Sequence, residues 1–376
     1  CALIDGDYAA ARGASAEQGD NEHIPPFASL RKFIPPDKLW PINDMWYFHA
    51  GSNPGNEALA SIRDAVVQRY GSSTGAEAFT RKAQLAHYEA TRAQFESFAA
   101  LGWADRKMTI YWMLNNHWPS FFGNIFDYYL RPGGAYYGAK TGLRPLSVVF
   151  DSYAKGDHSQ AEITVVNQTA DDVAGLRVRV RVYDLQGRVR DDRTVDGVSV
   201  AANGTNRVLT LPREAIDSKV FFVRLDLIDA AGAPLADNVY WQSQQRDDVG
   251  PPANDTAFAL KQVSWADMTP LNSMPRAPLE VTAQRTTADG QRGVTLRLSN
   301  RTSRIAFFER AEVLSTADGD EILPVEYSDN YVTVFPGESV DLQATLPAGS
   351  DAEANWVRVS GQNTPAVVVP VGNASR

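Results

Sequence analysis

The chain has 376 residues, of which 44% are hydrophobic and 22% charged, and its formal net charge is -9 at pH 7. This length allows two or three domains, and this composition is typical of a globular protein. Because phosphate binding requires a clustered positive surface and a membrane helix requires roughly 20 consecutive apolar residues, the sequence argues against nucleic-acid and membrane partners.

The chain runs from its single cysteine, Cys1, through small residues to a glutamate, Glu17. One cysteine permits no intrachain disulfide. The small residues around Ser15 resemble the nucleophile elbow Gly-x-Ser-x-Gly, but Glu17 stands at the last Gly position and would crowd that tight turn. We therefore interpret Ser15 as a small strand residue. Glu17 has the placement of a carboxylate at the C-terminal end of a barrel strand, where barrel active sites lie; an ordinary surface glutamate in a turn is the alternative.

An aromatic cluster and two helices are predicted next. Trp46-Tyr-Phe-His49 carries one polar tip, so Trp46 and His49 are candidates for sugar binding, with a hydrogen-bonded loop histidine as the alternative. Apolar residues then recur at helical spacing between Leu59 and Tyr70, and Gly71 is a plausible helix end. A longer helix is predicted from about Ala76 to Leu101.

A nearly continuous apolar run, Met108–Leu114, predicts a strand that is buried on both faces, as in parallel sheets. Trp112 and Trp118 are candidates for a platform on which a sugar ring stacks, and core packing is the alternative for both. Asn115 follows the strand, where a polar group costs desolvation unless it is paired or used. A helix is expected over Phe121–Tyr129, broken by RPGG at 131–134. This order of elements indicates an α/β architecture, either a barrel or an open sheet.

The rest of the chain predicts two all-β modules. Residues 176–184 and 219–229 alternate strictly between apolar and polar, as half-buried strands do. A weak repeat relates ITVVNQT at 163–169 to LRLSNRT at 296–302, so the two modules are expected to share one sandwich topology. The polar, Pro-rich stretch at 246–256 is predicted to link them.

The sequence contains no metal-binding motif. It has no His-Glu-x-x-His, no cysteine pair and no close histidine pair, which argues against a zinc site. The acidic turns Asp5-Gly-Asp7 and Asp318-Gly-Asp320 lack the spacing of a calcium loop. We therefore expect no metal and no cofactor.

Residues 110–140, IYWMLNNHWPSFFGNIFDYYLRPGGAYYGAK, resemble the last strand and helix of the catalytic barrel in glycoside hydrolase family 2. The resemblance is to the branch of exo-β-D-glucosaminidases, bacterial β-mannosidases and plant mannosylglycoprotein endo-β-mannosidases. It continues through 39–51, 82–97, 165–169 and 322–339, and so covers essentially the whole chain.

The resemblance implies the C-terminal portion of a (β/α)8 barrel at 1–145, followed by immunoglobulin-like β-sandwiches at 146–248 and 257–376. The family's nucleophile is a glutamate at the end of the seventh barrel strand, a few residues before Ile-Pro. Glu17 matches that position, although Ala16 replaces the usual serine before it. Trp112 matches the tryptophan that floors the family's sugar subsite.

The family's acid/base glutamate, in an Asn-Glu pair on the fourth strand, has no match. Neither Asn21-Glu22 nor Asn56-Glu57 fits, and retaining hydrolysis requires two carboxyl groups roughly 5–5.5 Å apart. The expected partners are therefore an oligosaccharide or glycan substrate and the remainder of the enzyme, meaning its N-terminal domains and barrel strands 1–6. For location, the periplasm or secretion is favoured over the cytoplasm.

The resemblance favours part of a retaining β-glycosidase that hydrolyses terminal β-mannosides through a glycosyl-enzyme on Glu17. The alternatives are an exo-β-D-glucosaminidase acting on chito-oligosaccharides, and a non-catalytic carbohydrate-binding or structural unit built from the sandwiches.

Overall fold

The computed structural model describes residues 13–19, 22–51, 57–151, 160–212, 216–249, 262–288 and 290–373. A mostly helical part comes first, and β-sheets follow. The helices are α1 (Phe27–Phe33), α2 (Asp44–His49), α3 (Glu57–Tyr70), α4 (Ala76–Ala100), α5 (Gly102–Asp105) and α6 (Gly134–Gly142). None of the helices in these ranges is long and apolar enough to cross a bilayer.

The predicted helices α3 and α4 are confirmed. Their apolar residues pack into one core with Trp46 and Phe121. Helix α4 is buried along most of its length because α6 and the sheets cover it. A stripe of glycines lets α6 approach closely: a Cβ at Gly138 would lie 2.4 Å from the carbonyl oxygen of Tyr88 on α4.

The only parallel strand pair in the described ranges is formed by β1 (Gly13–Gln18) and β2 (Arg106–Tyr111). The prediction that the apolar run at 108–114 is buried on both faces is wrong for the part of the chain that the structure describes. Met108 and Ile110 are about half exposed, as is Trp112 beyond the strand end. Alternate residues of β2 therefore present one apolar stripe to solvent.

The predicted helix over Phe121–Tyr129 is also wrong. Asp127 Oδ1 accepts hydrogen bonds from the backbone N–H groups of Tyr129 (2.9 Å) and Arg131 (3.0 Å), which builds a turn in place of a helix. The RPGG motif then precedes helix α6 and does not end one. Its second glycine, Gly134, is required there because a Cβ would lie 2.2 Å from the carbonyl oxygen of Gln84.

The remaining residues form two β-sandwiches of the same topology. In the first, a sheet of order β3-β4-β7 packs on one of order β6-β5-β8-β9; in the second, β12-β13-β17-β15 packs on β16-β14-β18-β19. The strands of the first are β3 (Leu146–Asp151), β4 (Gln160–Asn167), β5 (Val173–Asp184), β6 (Val189–Val200), β7 (Gly204–Pro212), β8 (Val220–Ile228) and β9 (Pro234–Ser243). Between them lie β10 (Asp248–Val249), β11 (Gln262–Ser264) and residues outside the described ranges, which include most of the predicted linker.

The second sandwich repeats the strand order of the first and adds one short strand, β15, at the edge beside β17. Its strands are β12 (Glu280–Ala288), β13 (Gln291–Ser299), β14 (Ala306–Leu314), β15 (Glu326–Tyr327), β16 (Val332–Val334), β17 (Ser339–Thr345), β18 (Trp356–Ser360) and β19 (Val367–Pro370). The predicted repeat has an atomic basis. Asn167 Oδ1 accepts from the N–H and hydroxyl of Thr169, and Asn300 Oδ1 does the same for Thr302. Each asparagine closes the corner after the second strand of its sandwich.

Polar side chains fasten the helical part to both sandwiches. On α4, Arg92 donates to Asn238 Oδ1 (3.1 Å), and Glu96 accepts from the amide of Asn238 (2.6 Å). After the turn at Asp127, the fully buried Arg131 pairs with Glu321 of the second sandwich at 2.6 Å. The helical part is thus held at both ends by buried hydrogen bonds.

Candidate active site

The carboxyl ends of β1 and β2 bring Glu17 and Trp112 to the same edge of the parallel pair. Gln18, directly after Glu17, is opposite Tyr111, directly before Trp112. A Cβ at Gly19 would lie 2.6 Å from the carbonyl oxygen of Trp112, so only glycine permits this approach. In parallel barrels this edge is where catalytic residues are found.

The strand β1 is irregular at the candidate nucleophile. Ser15 is opposite Thr109 and Gln18 is opposite Tyr111, so three steps along β1 match two along β2. The extra residue lies in the stretch that contains Glu17. Such bulges re-aim side chains next to active sites. The backbone of Glu17 belongs to the described strand, whereas its carboxyl group lies outside the described atoms.

Trp112 is 49% exposed, which leaves ring surface available to a ligand. The peptide bond that follows it is cis. The chain then forms a hairpin-like loop in which the N–H of Met113 donates to the carbonyl oxygen of Gly123 (2.9 Å), and that of Phe126 to Leu114 (2.9 Å). Asn115 belongs to this framework because its amide donates to the carbonyl oxygen of Asp127 (2.8 Å). We refer to residues 113–126 as the post-strand loop.

Trp118 lies at the tip of the post-strand loop and His49 supports it. The two rings stack with centroids 5.4 Å apart and an interplanar angle of 24°. His49 is buried, its Nδ1 donates to the carbonyl oxygen of Pro119 (2.7 Å), and its own carbonyl accepts from Phe121 (3.0 Å). His49 therefore orders the loop, and Trp118, half-buried, keeps part of its ring surface accessible.

Trp46 corrects the sequence prediction. It is fully buried between Phe79 and Phe121, with its indole N–H donating to the carbonyl oxygen of Lys38 (3.3 Å). A side chain with no accessible surface cannot stack on a sugar, so the role of Trp46 is core packing.

Sequence reasoning missed a group of buried polar residues behind the two strand ends: Glu22, His23, Gln84 and His87. Burial raises the pKa of the Glu22 carboxyl, against the opposing effects of its own backbone N–H and His23. Glu22 Oε2 has no hydrogen-bond partner. The one signal in the sequence was position, since Glu22 and His23 directly precede the Ile24-Pro25 pair.

A small cavity lies between these residues and the turn at Asp127. Its walls include His23, Gln84, His87, Asn124 and Arg131, and it has about 20 Å³ of free space. That volume suits a water molecule and is far too small for a sugar ring. Asn124 Oδ1 and one guanidinium nitrogen of Arg131 are buried without protein partners, as a water site requires.

No group of three or more His, Cys, Asp or Glu side chains in the described ranges is arranged to hold a metal ion.

Comparisons with known proteins match different parts of the chain to the same group of glycosidases. Residues 159–247 match a family model described as a mannosidase Ig/CBM-like domain, and residues 257–364 match one described as an exo-beta-D-glucosaminidase Ig-fold domain. An exo-beta-D-glucosaminidase from Streptomyces avermitilis is 36% identical over 96% of this chain and 40% of its own length. One from Hypocrea jecorina is 33% identical over the same shares. A mannosylglycoprotein endo-beta-mannosidase from Lilium longiflorum is 22% identical over 86% of this chain.

Solved structures agree. The exo-chitosanase of Amycolatopsis orientalis superposes with a TM-score of 0.84 at 30% identity, over 95% of this chain and 43% of that one. Two further structures of that protein are complexes with PNP-beta-D-glucosamine. A beta-D-mannosidase from Dictyoglomus thermophilum shares the fold, with a TM-score of 0.70 at 16% identity. The chain spans about two fifths of the length of these relatives.

Proposed function

Because the chain belongs to the branch of glycoside hydrolase family 2 that contains exo-β-D-glucosaminidases and β-mannosidases, we propose that it is part of a retaining exo-β-D-glucosaminidase acting on chito-oligosaccharides. The relatives at 33–36% identity are named exo-β-D-glucosaminidases, whereas those named mannosidases match at 22–23%. The glucosaminide therefore replaces the terminal β-mannoside that the sequence favoured.

The observation that carries this proposal is the meeting of Glu17 and Trp112 at one strand edge. In a retaining mechanism Glu17 attacks the anomeric carbon and forms a glycosyl-enzyme, which water then hydrolyses. Trp112 offers an apolar face on which the sugar ring stacks. The bulge in β1 supports this assignment, because it lies in the stretch of strand that must present the carboxylate.

The second carboxyl group must come from elsewhere. Retaining hydrolysis requires an acid that protonates the leaving group and then acts as base toward water, roughly 5–5.5 Å from the nucleophile. We propose that this acid/base residue, like the other barrel strands, corresponds to the part of the relatives' length that this chain does not cover. The apolar stripe of Met108 and Ile110 supports this placement, since the inner face of a barrel strand is filled by neighbouring side chains.

Trp118 fits a second sugar position. It lies on the post-strand loop that directly follows Trp112, and the stacked His49 ring fixes its orientation. Asn115 orders the loop between the two tryptophans. We assign Trp118 to the leaving-group side of an oligosaccharide, and His49 and Asn115 to holding the loop.

A carbohydrate-binding role for the sandwiches alone has less support. In their described residues, the large apolar side chains with substantial exposure are aliphatic: Val189, Leu235 and Val368. Ligand sites typically use exposed aromatic faces, and here the aromatic rings of the sandwiches are at least half-buried.

The test uses the protein that carries this chain together with the remaining length of its relatives. Wild-type protein is expected to hydrolyse p-nitrophenyl β-D-glucosaminide much faster than the β-D-mannoside, and to release the β-anomer first. Glu17→Gln should reduce kcat by roughly 10⁴-fold, as loss of a catalytic group does. Glu326→Gln, at an exposed glutamate of the second sandwich, is the matched control. A preference for the β-D-mannoside would contradict the glucosaminidase proposal and favour a β-mannosidase. An active Glu17→Gln variant would show that Glu17 is not the nucleophile.

A further inference from the structure

The imidazole of His23 joins three segments that surround the proposed active site. Its Nδ1 lies 2.7 Å from the carbonyl oxygen of Asn124, at the end of the post-strand loop. Its Nε2 lies 3.2 Å from the hydroxyl of Tyr111, the last residue of β2. His23 itself belongs to the segment that follows β1. One buried side chain therefore contacts the structure on both sides of Trp112.

The hydrogen bonds define the tautomer of His23. A carbonyl oxygen only accepts, so Nδ1 must carry the proton that it shares with Asn124. In the neutral ring Nε2 is then an acceptor, and the hydroxyl of Tyr111 donates to it. The neutral ring has one donor and one acceptor. The donor bonds to the post-strand loop at Asn124, and the acceptor bonds to the end of β2 at Tyr111.

The segment that carries His23 is itself fixed to α4. The N–H of Ile24 donates to His87 Nε2 (2.9 Å), and its carbonyl oxygen accepts from the amide of Gln84 (2.7 Å). Gln84 also accepts from the N–H of Gly134 at 2.8 Å. Both backbone polar groups of Ile24 are thus held by side chains of α4, a helix that is buried along most of its length, which gives His23 a rigid base.

The end of β2 carries Tyr111 and leads directly into Trp112. One face of this strand is the exposed stripe described above, and Trp112 is followed directly by the loop. The pairing of Gln18 with Tyr111 connects the nucleophile strand to this end. A bond from Tyr111 to a rigid imidazole therefore restrains both the strand after Glu17 and the ring at Trp112.

We propose that His23 is a positioning residue, which fixes Trp112 and the end of the nucleophile strand through Tyr111 and fixes the post-strand loop through Asn124. This assignment rests on the proposed function. In the proposed reaction His23 contacts no reacting atom. A displacement of about 1 Å at a reacting group costs up to about 100-fold in rate, which is why such a restraint matters.

The test is a double-mutant cycle in the full-length protein with an activated aryl β-D-glucosaminide. Tyr111→Phe removes only the hydroxyl, and His23→Asn retains a donor near Nδ1 but removes the acceptor at Nε2. Each is expected to lower kcat roughly tenfold with KM within about twofold, and the double variant should lose no more than either alone. Tyr128→Phe, at an exposed tyrosine of the adjoining turn, is the matched control.

A second measurement does not depend on activity. Selective ¹⁵N labelling of the five histidines of this chain allows nitrogen shifts to report each tautomer. His23 should be protonated at Nδ1 and bare at Nε2, and Tyr111→Phe should shift only the Nε2 signal.

Several outcomes overturn the proposal: additive losses in the cycle, unchanged kcat in both single variants, or a proton on Nε2 of His23. Reduced thermal stability with wild-type kcat indicates a merely structural role and overturns it as well. An active wild type with unaffected variants refutes this proposal alone. A wild type inactive on both aryl glycosides removes the proposed function, and the catalytic part of this proposal with it.

Discussion

Glu309 should make the second sandwich less stable as the pH rises through the neutral range. The residue lies on β14, is fully buried, and one of its carboxyl oxygens has no hydrogen-bond partner. The other oxygen is 2.5 Å from the hydroxyl oxygen of Thr364, which lies 3.0 Å from the carbonyl oxygen of Ala277. A carbonyl oxygen can only accept, so the hydroxyl of Thr364 donates its single proton to Ala277. The hydroxyl oxygen of Thr364 can then accept a hydrogen bond from Glu309 when Glu309 is protonated.

The magnitude follows from the shift in pKa. Burial raises the pKa of Glu309 from 4.5 to about 8, and it outweighs the hydrogen bond that the Thr364 hydroxyl can donate to the ionised carboxylate, which lowers the pKa. Between these values the folded protein holds a proton that the unfolded chain has released, so stability falls as the pH increases. Over the 3.5 pH units from 4.5 to 8, at about 1.4 kcal/mol per unit, the full loss is about 5 kcal/mol. The part between pH 5 and pH 8 is about 3 to 4 kcal/mol.

Glu309→Gln removes the titration while retaining shape and a donor for Thr364. The variant should match wild type near pH 5 and exceed it by several kcal/mol at pH 8. Hydrogen exchange of the β14 and β18 amides, measured at pH 5 to 8 and corrected for intrinsic rates, reports the opening free energy of this sandwich. Glu326→Gln, an exposed glutamate in the same sandwich, should leave the pH dependence unchanged. The reasoning is refuted if wild type and Glu309→Gln show parallel pH dependence.

Three further predictions concern packing, the buried ion pair and the loop. Gly138→Ala should destabilise the chain by about 1–3 kcal/mol in urea denaturation, because the new Cβ would lie 2.4 Å from the carbonyl oxygen of Tyr88. Gly75→Ala has open space around it and should cost less, about 0.5–1 kcal/mol, because Ala is a poorer N-cap of α4 than Gly. Arg131→Met should cost about 1.5–3 kcal/mol in the same assay because buried Glu321 loses one of its two guanidinium partners and keeps only Arg310, and Glu321→Gln in the Arg131→Met background should recover part of that loss. Trp118→Ala in the full-length protein should raise KM for a chito-oligosaccharide several-fold more than for an aryl glucosaminide, and equal effects on both would place Trp118 outside the leaving-group side.

The sequence correctly predicted those elements that bury one continuous face, because the buried residues then recur at regular spacing. Helices α3 and α4 and the strands of the sandwiches belong to this group, since alternate or helical spacing is enough to define them. The turn at Asp127 was predicted as a helix because the residues around it are aromatic and apolar. What decides its structure is a single carboxylate that accepts two backbone N–H groups, and periodicity does not contain that information.

Within the candidate site, only the residues at the ends of neighbouring strands were predictable from the sequence. Glu17 and Trp112 each follow from the position of a strand end, and parallel pairing places them at one edge. The supporting group was not predictable, because its partners are far apart in sequence: Ile24 and His87 are separated by 63 positions, and His23 and Tyr111 by 88. No local pattern marks a histidine whose function depends on such a partner. Trp46 was misjudged for the related reason that an aromatic cluster looks the same whether it is buried or exposed.

The second sandwich supports the candidate site as well as extending the chain. The post-strand loop ends at the turn of Asp127, and the next anchored residue is Arg131, whose guanidinium donates to Ser29 on α1 (3.0 Å) and to Glu321 (2.6 Å). Glu321 is also paired with Arg310 of β14 at 2.6 Å, so the anchor is continuous with the core of the sandwich. A loop that carries Trp118 and directly follows Trp112 requires fixed ends if both rings are to keep their positions beside the proposed nucleophile. One end is fixed by the pairing of β2 with β1, and the other by the sandwich through Arg131.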